Sequence, residues 1–367
     1  MKALITTSSV LVCVAVLLIS YLDFSPPDTF GSGMTSERYL FPIIVAGKRG
    51  YIDAKGETVI APSFDDTWKF AHGAMQDPRF DGGKFCEGLA TVRVSGKFGY
   101  INGSGSIIIP AQFDVARCLS SGLAAVMVDN EWGYIDRTGK KIIPLNLLEA
   151  SDFDEDVASV RQANGSYGIA NKTGIIKTVV DAELVGYFQG GFAPLRLEEK
   201  SGFIGVTGSV AVPLVYEQVK HFSEGLAPVK VKTNWGFLNT KGEMQIAAQY
   251  LDAWEFSEGF ALVQKGESFF FIDRSGSVVA SPSKGFKEAQ HFSEGLAGVR
   301  SGDKWGYINS KGSFVIPPQF DVVSSFNNGL AGVGVDQAKW PGKFGYINKI
   351  GRYVWGPTAP IKSPNRD

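Results

Sequence analysis

The feature that most constrains the fold of this chain is a sequence repeat with a period near 34 residues. The glycine of a recurring S-E-G-L-A element returns at steps of 34 to 36 residues, with Asp156 in its place in one copy: Gly88, Gly122, Gly191, Gly225, Gly259, Gly295 and Gly329. A unit this short cannot cover both faces of a small sheet, so successive units must stack and share their apolar sides. The sequence predicts nine such units across residues 39–356.

A second glycine closes a turn in every unit. These nine structural turn glycines are Gly56, Gly105, Gly139, Gly174, Gly208, Gly242, Gly276, Gly312 and Gly351. In most units an Asp or Asn stands three residues earlier, as Asp136 does before Gly139. Asx at the first position and glycine at the fourth predict a type I turn, whose last residue can then take a positive φ.

Each unit contains three short segments of strand character and no helical period. Alternating residues such as those of Leu296–Val299 form one segment, a W-G-Y-I-N run forms the next, and an apolar pair before proline forms the third. We therefore expect an all-β protein of tandem three-stranded antiparallel units. An open β-solenoid or superhelix is favoured, and a closed β-propeller is the alternative, because propeller blades usually have four strands and about 40 to 50 residues.

The repeated segments carry a family resemblance. The runs KWGYINSKGSFVIPPQFD at residues 304–321 and HFSEGLAGV at residues 291–299 resemble the WG-repeat family, also called KWG repeats. The resemblance spans most of the chain. It implies a β-strand repeat protein that is bacterial, secreted or associated with the cell envelope, and free of catalytic residues in the repeat itself. Six of the nine units lack tryptophan at the WG position, so the resemblance does not imply a continuous row of tryptophans.

The first residues predict export. Residues 3–22 carry no charge and follow Lys2, which is typical of a signal peptide, or of an uncleaved signal anchor if no cleavage occurs. Residues 23–38, rich in Pro, Gly and Ser, predict a flexible linker. We expect the repeats at residues 39–356 to lie outside the cytoplasm, whether secreted, periplasmic or anchored facing outward, and residues 357–367 to form a disordered tail.

The charge balance and the motifs of the chain exclude several classes of partner and of site. The chain has 36 basic and 37 acidic residues, a balance that offers no field for a phosphate backbone, so nucleic acid is not an expected partner. No P-loop, nucleophile elbow or dinucleotide fingerprint is present, and we predict no enzyme activity and no cofactor. His221 and His291 share one repeat position, but no zinc-ligand spacing surrounds them, so no metal site is predicted.

Two sets of repeated side chains are candidate binding residues. The tryptophans of the WG position, Trp132, Trp235 and Trp305, can stack on sugar rings or can simply pack between units. The glutamates of the S-E-G-L-A element, Glu224, Glu258 and Glu294, can line a groove, or can bond neighbouring backbone amides.

Cysteines and one insertion complete the set of unusual positions. Cys86 and Cys118 lie 32 residues apart, close to one period, so they can form a disulfide after export or remain two separate thiols. The segment Ala71–Lys84 is the one polar cluster outside the repeat, and it is either a functional loop or a tolerated insertion.

These observations predict an exported, non-catalytic repeat scaffold that binds a protein or a glycan at the cell surface. A hydrolase of an envelope polymer is one alternative, and it needs two carboxylates about 5 to 10 Å apart in a cleft. A purely structural spacer is the other. The membrane is an expected partner only through the N-terminal segment, and the oligomeric state stays open.

Overall fold

A computed structural model describes residues 39–65, 83–179, 182–280, 285–336 and 343–358. The predicted signal segment at residues 1–22, the linker at 23–38 and residues 359–367 of the predicted tail lie outside this part. All regular structure in the described part is β-strand. It contains no helix of the length and apolarity that a membrane span requires.

The strands of the first five units are short. Unit 1 contains β1 (Phe41–Val45), β2 (Lys48–Ile52) and β3 (Thr58–Asp65); unit 2 contains β4 (Phe85–Cys86), β5 (Leu89–Val94), β6 (Lys97–Asn102) and β7 (Ile107–Phe113); unit 3 contains β8 (Val115–Ala116), β9 (Leu123–Val128), β10 (Glu131–Asp136) and β11 (Lys141–Ala150); unit 4 contains β12 (Val157–Gln162), β13 (Tyr167–Asn171) and β14 (Ile176–Val179); unit 5 contains β15 (Leu184–Val185), β16 (Phe192–Leu197), β17 (Lys200–Gly205) and β18 (Val210–Tyr216).

The last four units each have four strands. Unit 6 contains β19 (Gln218–Val219), β20 (Leu226–Val231), β21 (Asn234–Asn239) and β22 (Met244–Tyr250); unit 7 contains β23 (Asp252–Ser257), β24 (Phe260–Lys265), β25 (Ser268–Ile272) and β26 (Val278–Ala280); unit 8 contains β27 (Glu288–Ser293), β28 (Leu296–Ser301), β29 (Lys304–Asn309) and β30 (Phe314–Phe320); unit 9 contains β31 (Val322–Val323), β32 (Leu330–Val335), β33 (Lys343–Asn348) and β34 (Tyr353–Thr358).

The predicted fold class, an all-β array of small antiparallel repeat units, is confirmed. Within a unit, strands that follow each other in the chain are neighbours in the sheet, as in the order β19-β20-β21-β22. Among the described residues, seven of the nine units have one strand more than the three that the sequence predicted; units 1 and 4 have three. In five of these seven units the added first strand has only two residues, and it pairs with the strand that carries the L-A-x-V residues.

The glycine of the WG pair is required by a β-bulge. In unit 6, Trp235 pairs with Tyr250 and Phe237 pairs with Ile246, so β22 has two more residues than β21 between these pairs. The backbone of β22 therefore crowds Gly236, where a Cβ would lie 2.5 Å from the carbonyl oxygen of Ile246. Equivalent glycines lie as close to backbone in six other units: Gly50, Gly99, Gly133, Gly202, Gly306 and Gly345.

Successive units pack through the turn glycines. All nine have a φ between 77° and 87°, a range that side chains other than glycine rarely adopt. In unit 3, the carboxylate of Asp136 accepts the backbone N–H groups of Thr138 and Lys140, which fixes the turn. A Cβ on Gly139 would lie 3.2 Å from the side chain of Ile109 in unit 2, so this turn rests on the outer strand of the preceding unit.

A tyrosine hydroxyl joins many units to the next one. It belongs to the WGYID strand and donates to a backbone carbonyl of the following unit at 2.6–2.8 Å: Tyr51 to Gly83, Tyr100 to Arg117, Tyr134 to Ser151 and Tyr307 to Ser324. Apolar side chains from both units surround these bonds, for example Tyr134, Phe153 and Ala150 in one cluster. The core is therefore a series of shared interfaces between units.

The ninth unit contacts the first in a similar way. Tyr346 of unit 9 donates its hydroxyl to the carbonyl of Pro42 in unit 1 at 2.9 Å, and its ring lies 5.6 Å from that of Phe41. The turn glycine of unit 1, Gly56, rests on Val354 of β34, as seven other turn glycines rest on their preceding units. An open solenoid leaves its first and last units apart, so these contacts favour the closed arrangement of the two that the sequence left open.

Candidate functional site

The glutamates of the S-E-G-L-A element bond backbone amides of the neighbouring unit. Glu224 and Gly225 form a two-residue hairpin turn in which both residues have a positive φ, as a type I′ turn requires. The Glu224 carboxylate accepts the N–H of Gly259 at 3.0 Å. Glu258 and Glu294 accept the N–H groups of Gly295 and Gly329 in the same way.

The tryptophans of the WG position pack inside the array. Trp132 and Trp235 are 8 % and 5 % exposed, and Trp305 is partly buried against the core of units 8 and 9. The guanidinium of Arg117 lies 4.7 Å from the centre of the Trp132 ring, and the Lys220 ammonium lies 4.8 Å from that of Trp235. These two contacts lie within one unit, but Trp132 and Trp235 also belong to apolar clusters that include Phe153 and Phe256 of the next unit. Of the two roles that the sequence allowed, these clusters favour packing between units.

A serine hydroxyl provides a further link between units. The serine before the glutamate position, which is Ser121 in unit 3, donates to a phenylalanine carbonyl of the next unit: Ser120 to Phe153, Ser223 to Phe256, Ser257 to Phe292 and Ser293 to Phe326. In unit 2 this position is Cys86, which forms a disulfide with Cys118 of unit 3. Of the two states left open for these cysteines, the structure has the disulfide, and it stands where a hydrogen bond joins other units.

A group of ionisable side chains lies where units 6, 7 and 8 meet. We call it the Lys220 cluster, and it consists of Lys220, His221, Asp252, Trp254, Glu255 and His291. Lys220 and His221 follow β19, Asp252, Trp254 and Glu255 lie in β23, and His291 lies in β27. The repeat spacing of 34 to 36 residues brings these equivalent positions of successive units side by side.

Lys220 is held from several directions. Its ammonium lies 2.8 Å from the carboxylate of Asp252 and donates to the carbonyl of Ala253 at 2.7 Å. It also lies 4.5 Å from the ring centre of Trp254, so two indoles and a carboxylate surround one charge. Gln290 makes the equivalent bond two units further on, to the carbonyl of Val323.

Glu255 lies between two histidines. Its carboxylate accepts the backbone N–H of His221 at 3.3 Å and lies 4.0 Å from the Nδ1 atom of that histidine. Burial raises the pKa of Glu255, and the charge of Asp252 adds to this effect. Burial and the Lys220 charge lower the pKa of His291 to about 4, so this imidazole is neutral at pH 7. The ring of His221 also stacks on Tyr187 of unit 5 at 3.6 Å.

Of this cluster, only His221 and His291 were considered from the sequence, as possible metal ligands. Trp254, Asp252 and Glu255 were not singled out, because no motif surrounds them and their neighbours come from other units. One signal was present: units 4 and 9 have serine where unit 7 has Trp254. Within the described residues, no group of three or more His, Cys, Asp or Glu side chains is placed to hold a metal ion. The polar insertion at residues 71–84 lies outside the described residues except for Gly83 and Lys84.

Comparison with known proteins identifies the repeat. The family model described as "WG containing repeat" matches seven segments, which together make up more than half of the chain: residues 50–74, 98–132, 132–167, 202–232, 235–267, 269–305 and 305–340. No curated protein has significant sequence similarity to the chain.

Solved structures with a similar chain path include a eukaryotic initiation factor, with a TM-score of 0.48, 13 % identity, and coverage of 72 % of this chain and 82 % of that one. PorZ, a surface component of the type-IX secretion system of Porphyromonas gingivalis, matches with a TM-score of 0.33, 8 % identity, and coverage of 73 % and 43 %. The extracellular domain of a hybrid two-component system from B. thetaiotaomicron matches with a TM-score of 0.28, 9 % identity, and coverage of 90 % and 60 %. With all three TM-scores below 0.5, no functional conclusion is drawn from these likenesses.

Proposed function

The chain belongs to the WG-repeat family, and from that premise we propose that it is an exported, non-catalytic scaffold whose surface binds a protein or a glycan at the cell surface. The observation that carries this proposal is the use of the repeated side chains. Glu224, Glu258 and Glu294 bond backbone amides, and the tryptophans of the WG position pack between units. What remains for a partner is the rigid surface and the side chains that depart from the repeat.

The disulfide supports the exported location. Disulfides persist in oxidising compartments and are rare in the cytosol, where thiols are kept reduced. The Cys86–Cys118 bond lies between two units of the array, at a position where other units use a serine hydrogen bond. A bond in that place fits a protein that folds after export, and export was expected from residues 1–22.

The contacts of Glu224, Glu258 and Glu294 do not support the hydrolase alternative. It required repeated carboxylates free to face a substrate across a cleft. Each of the three candidate glutamates instead accepts a backbone N–H group of the next unit at 2.8–3.0 Å. A carboxylate that holds a turn in place is stabilising, and it is poorly placed to transfer protons.

Two measurements test the proposal. The purified protein, immobilised and exposed to envelope extracts and to polysaccharide fractions, is expected to retain a partner, whereas bond-cleaving activity on the same fractions is expected to be absent. Thiol labelling of the protein taken from intact cells is expected to leave Cys86 and Cys118 unmodified until a reductant is added. Free thiols in the cell-derived protein, or turnover of any fraction, would contradict the proposal.

A further inference from the structure

At least one side chain of the Lys220 cluster, that of Trp254, is not needed for the units to stack. Where unit 7 has Trp254, units 4 and 9 have Ser151 and Ser324. These serine-bearing units still join their neighbours, since the carbonyls of Ser151 and Ser324 accept the tyrosine hydroxyls of the preceding units. A large aromatic side chain at this position is therefore an addition to the repeat.

The added side chains are accessible and fixed in position. The side chains of Asp252, Glu255 and Lys220 are 34 %, 27 % and 25 % exposed, so solvent reaches all three. Trp254 is partly exposed and is held by Lys220 on its ring and by Phe269 at 5.7 Å. Polar groups that are held in place before binding lose little conformational entropy when a ligand arrives.

We propose that the Lys220 cluster is a binding site for an uncharged glycan, with Trp254, Asp252 and Glu255 as contact residues. This inference rests on the proposed binding function and names its ligand class. Sugar hydroxyls both donate and accept hydrogen bonds. They can therefore donate to the carboxylates of Asp252 and Glu255 and accept from the Lys220 ammonium. The apolar face of a pyranose ring matches the exposed part of an indole.

The pairing of Lys220 with Asp252 favours an uncharged ligand over an ionic one. The Lys220 ammonium is already paired with Asp252 at 2.8 Å. An anionic ligand would have to displace Asp252, and a cationic ligand would have to displace Lys220, and either change leaves a charge without its partner. A hydroxyl group joins the pair without breaking it. The formal net charge of the chain, −1, adds no strong field that would attract an ion.

The test is binding of a panel of uncharged oligosaccharides (cellotetraose, chitotetraose, maltotetraose and mannotetraose) to the purified full chain, measured by titration calorimetry. At least one is expected to bind. Trp254→Ser introduces the residue that units 4 and 9 already have, and it is expected to weaken binding about tenfold, which corresponds to about 1.4 kcal/mol. The matched control Trp305→Phe, which introduces the residue of units 2 and 9 at the WG position, is expected to bind as the unchanged protein does.

A second variant distinguishes a loss of binding from a loss of folding. Glu255→Gln keeps the shape of the side chain and removes an acceptor charge, so it is expected to weaken binding while the circular dichroism spectrum stays unchanged. The glycan site is overturned if no member of the panel binds, or if Trp254→Ser and Glu255→Gln both bind as tightly as the unchanged protein. If a protein partner is still captured from envelope extracts in that case, the scaffold function stands and only the glycan site fails. If nothing is captured, both fail.

Discussion

Single residues carry the turn geometry of this repeat. The turn glycines combine a positive φ with close contact to the preceding unit, so a side chain at these positions is disfavoured twice. Gly105 is an instance, with a φ of 83° and Ile60 of unit 1 at 3.1 Å from the place of a Cβ. Gly103, two residues earlier in the same turn, has no atom within 4 Å of that place and no positive φ.

These two glycines form a matched pair for mutation. Gly105→Ala is expected to lower the free energy of unfolding by about 1–2 kcal/mol, because alanine must adopt a left-handed conformation against the Ile60 side chain. Gly103→Ala is expected to change it by less than about 0.5 kcal/mol. Urea unfolding followed by circular dichroism measures both, and equal effects of the two substitutions would contradict the role assigned to Gly105.

His291 makes stability depend on pH. Its pKa in the folded chain, about 4, lies below the ordinary value of 6.5, so the unfolded chain takes up a proton first as the pH falls. The contribution of the neutral imidazole is complete above pH 6.5 and is lost as the pH falls through 4. Glu255 acts in the opposite direction, because its raised pKa means that acidification relieves the cost of its buried charge.

The contribution of His291 to the unfolding free energy is therefore expected to fall between pH 6.5 and pH 4, by about 3 kcal/mol. His291→Gln removes the titrating group and is expected to flatten this part of the profile. Urea midpoints measured at pH 7, 6, 5 and 4 provide the check, and His221→Gln serves as the comparison. A profile of the same slope in His291→Gln would rule out the assignment.

Strands and their bulges explain the sequence of the W-G-Y run. Seven units place a glycine opposite a bulge of the outer strand, which has two extra residues in six of them and one in unit 9. Unit 7 is different because it has Phe270 at this position. There the outer strand stops pairing at Ala280, and the chain returns at Phe286, which pairs with Phe269.

This account gives a prediction for a regular unit. Gly306→Ala is expected to destabilise the protein by about 2–3 kcal/mol, because the new Cβ would lie 2.5 Å from the carbonyl oxygen of Ile316. Gly332→Ala is a suitable control, since that strand glycine has its nearest neighbour at 3.4 Å, an ordinary contact distance. Thermal unfolding of both variants tests the difference. A tolerated Gly306→Ala would show that the bulge relaxes freely.

How far the elements could be predicted depends on their length and on the range of their contacts. The turn at Asp136 and the L-A-x-V strands follow from local spacing, and both were expected. The first strand of a unit, such as Gln218–Val219, has two residues, too few to show an alternation. The bulge opposite Gly236 and the ion pair of Lys220 with Asp252 each depend on residues from another segment of the chain. A local sequence pattern therefore does not predict them.

At the scale of the whole molecule, the interface between units 9 and 1 is the one that bears on whether the array is open or closed. Tyr346 donates to Pro42 across this interface, as Tyr307 donates to Ser324 between units 8 and 9. Burial raises the pKa of Tyr346 to about 12, so its hydroxyl stays protonated and able to donate under physiological conditions.

Tyr346→Phe and Tyr307→Phe are therefore expected to destabilise the protein by similar amounts, about 1 kcal/mol each, since each removes one buried hydrogen bond. Guanidinium unfolding of the two variants measures this. If units 1 and 9 were apart in solution, Tyr346→Phe would cost nothing while Tyr307→Phe kept its full effect.

The contact of Gly56 with Val354 also bears on how such a gene can change length. An array with free ends gains or loses a copy by unequal recombination, and its remaining members keep their neighbours. Here an additional copy would also have to preserve or rebuild the contacts between units 9 and 1, which an array with free ends does not have. Substitution within individual copies, as in the one that has Trp254 and Phe270, is then the easier route to change.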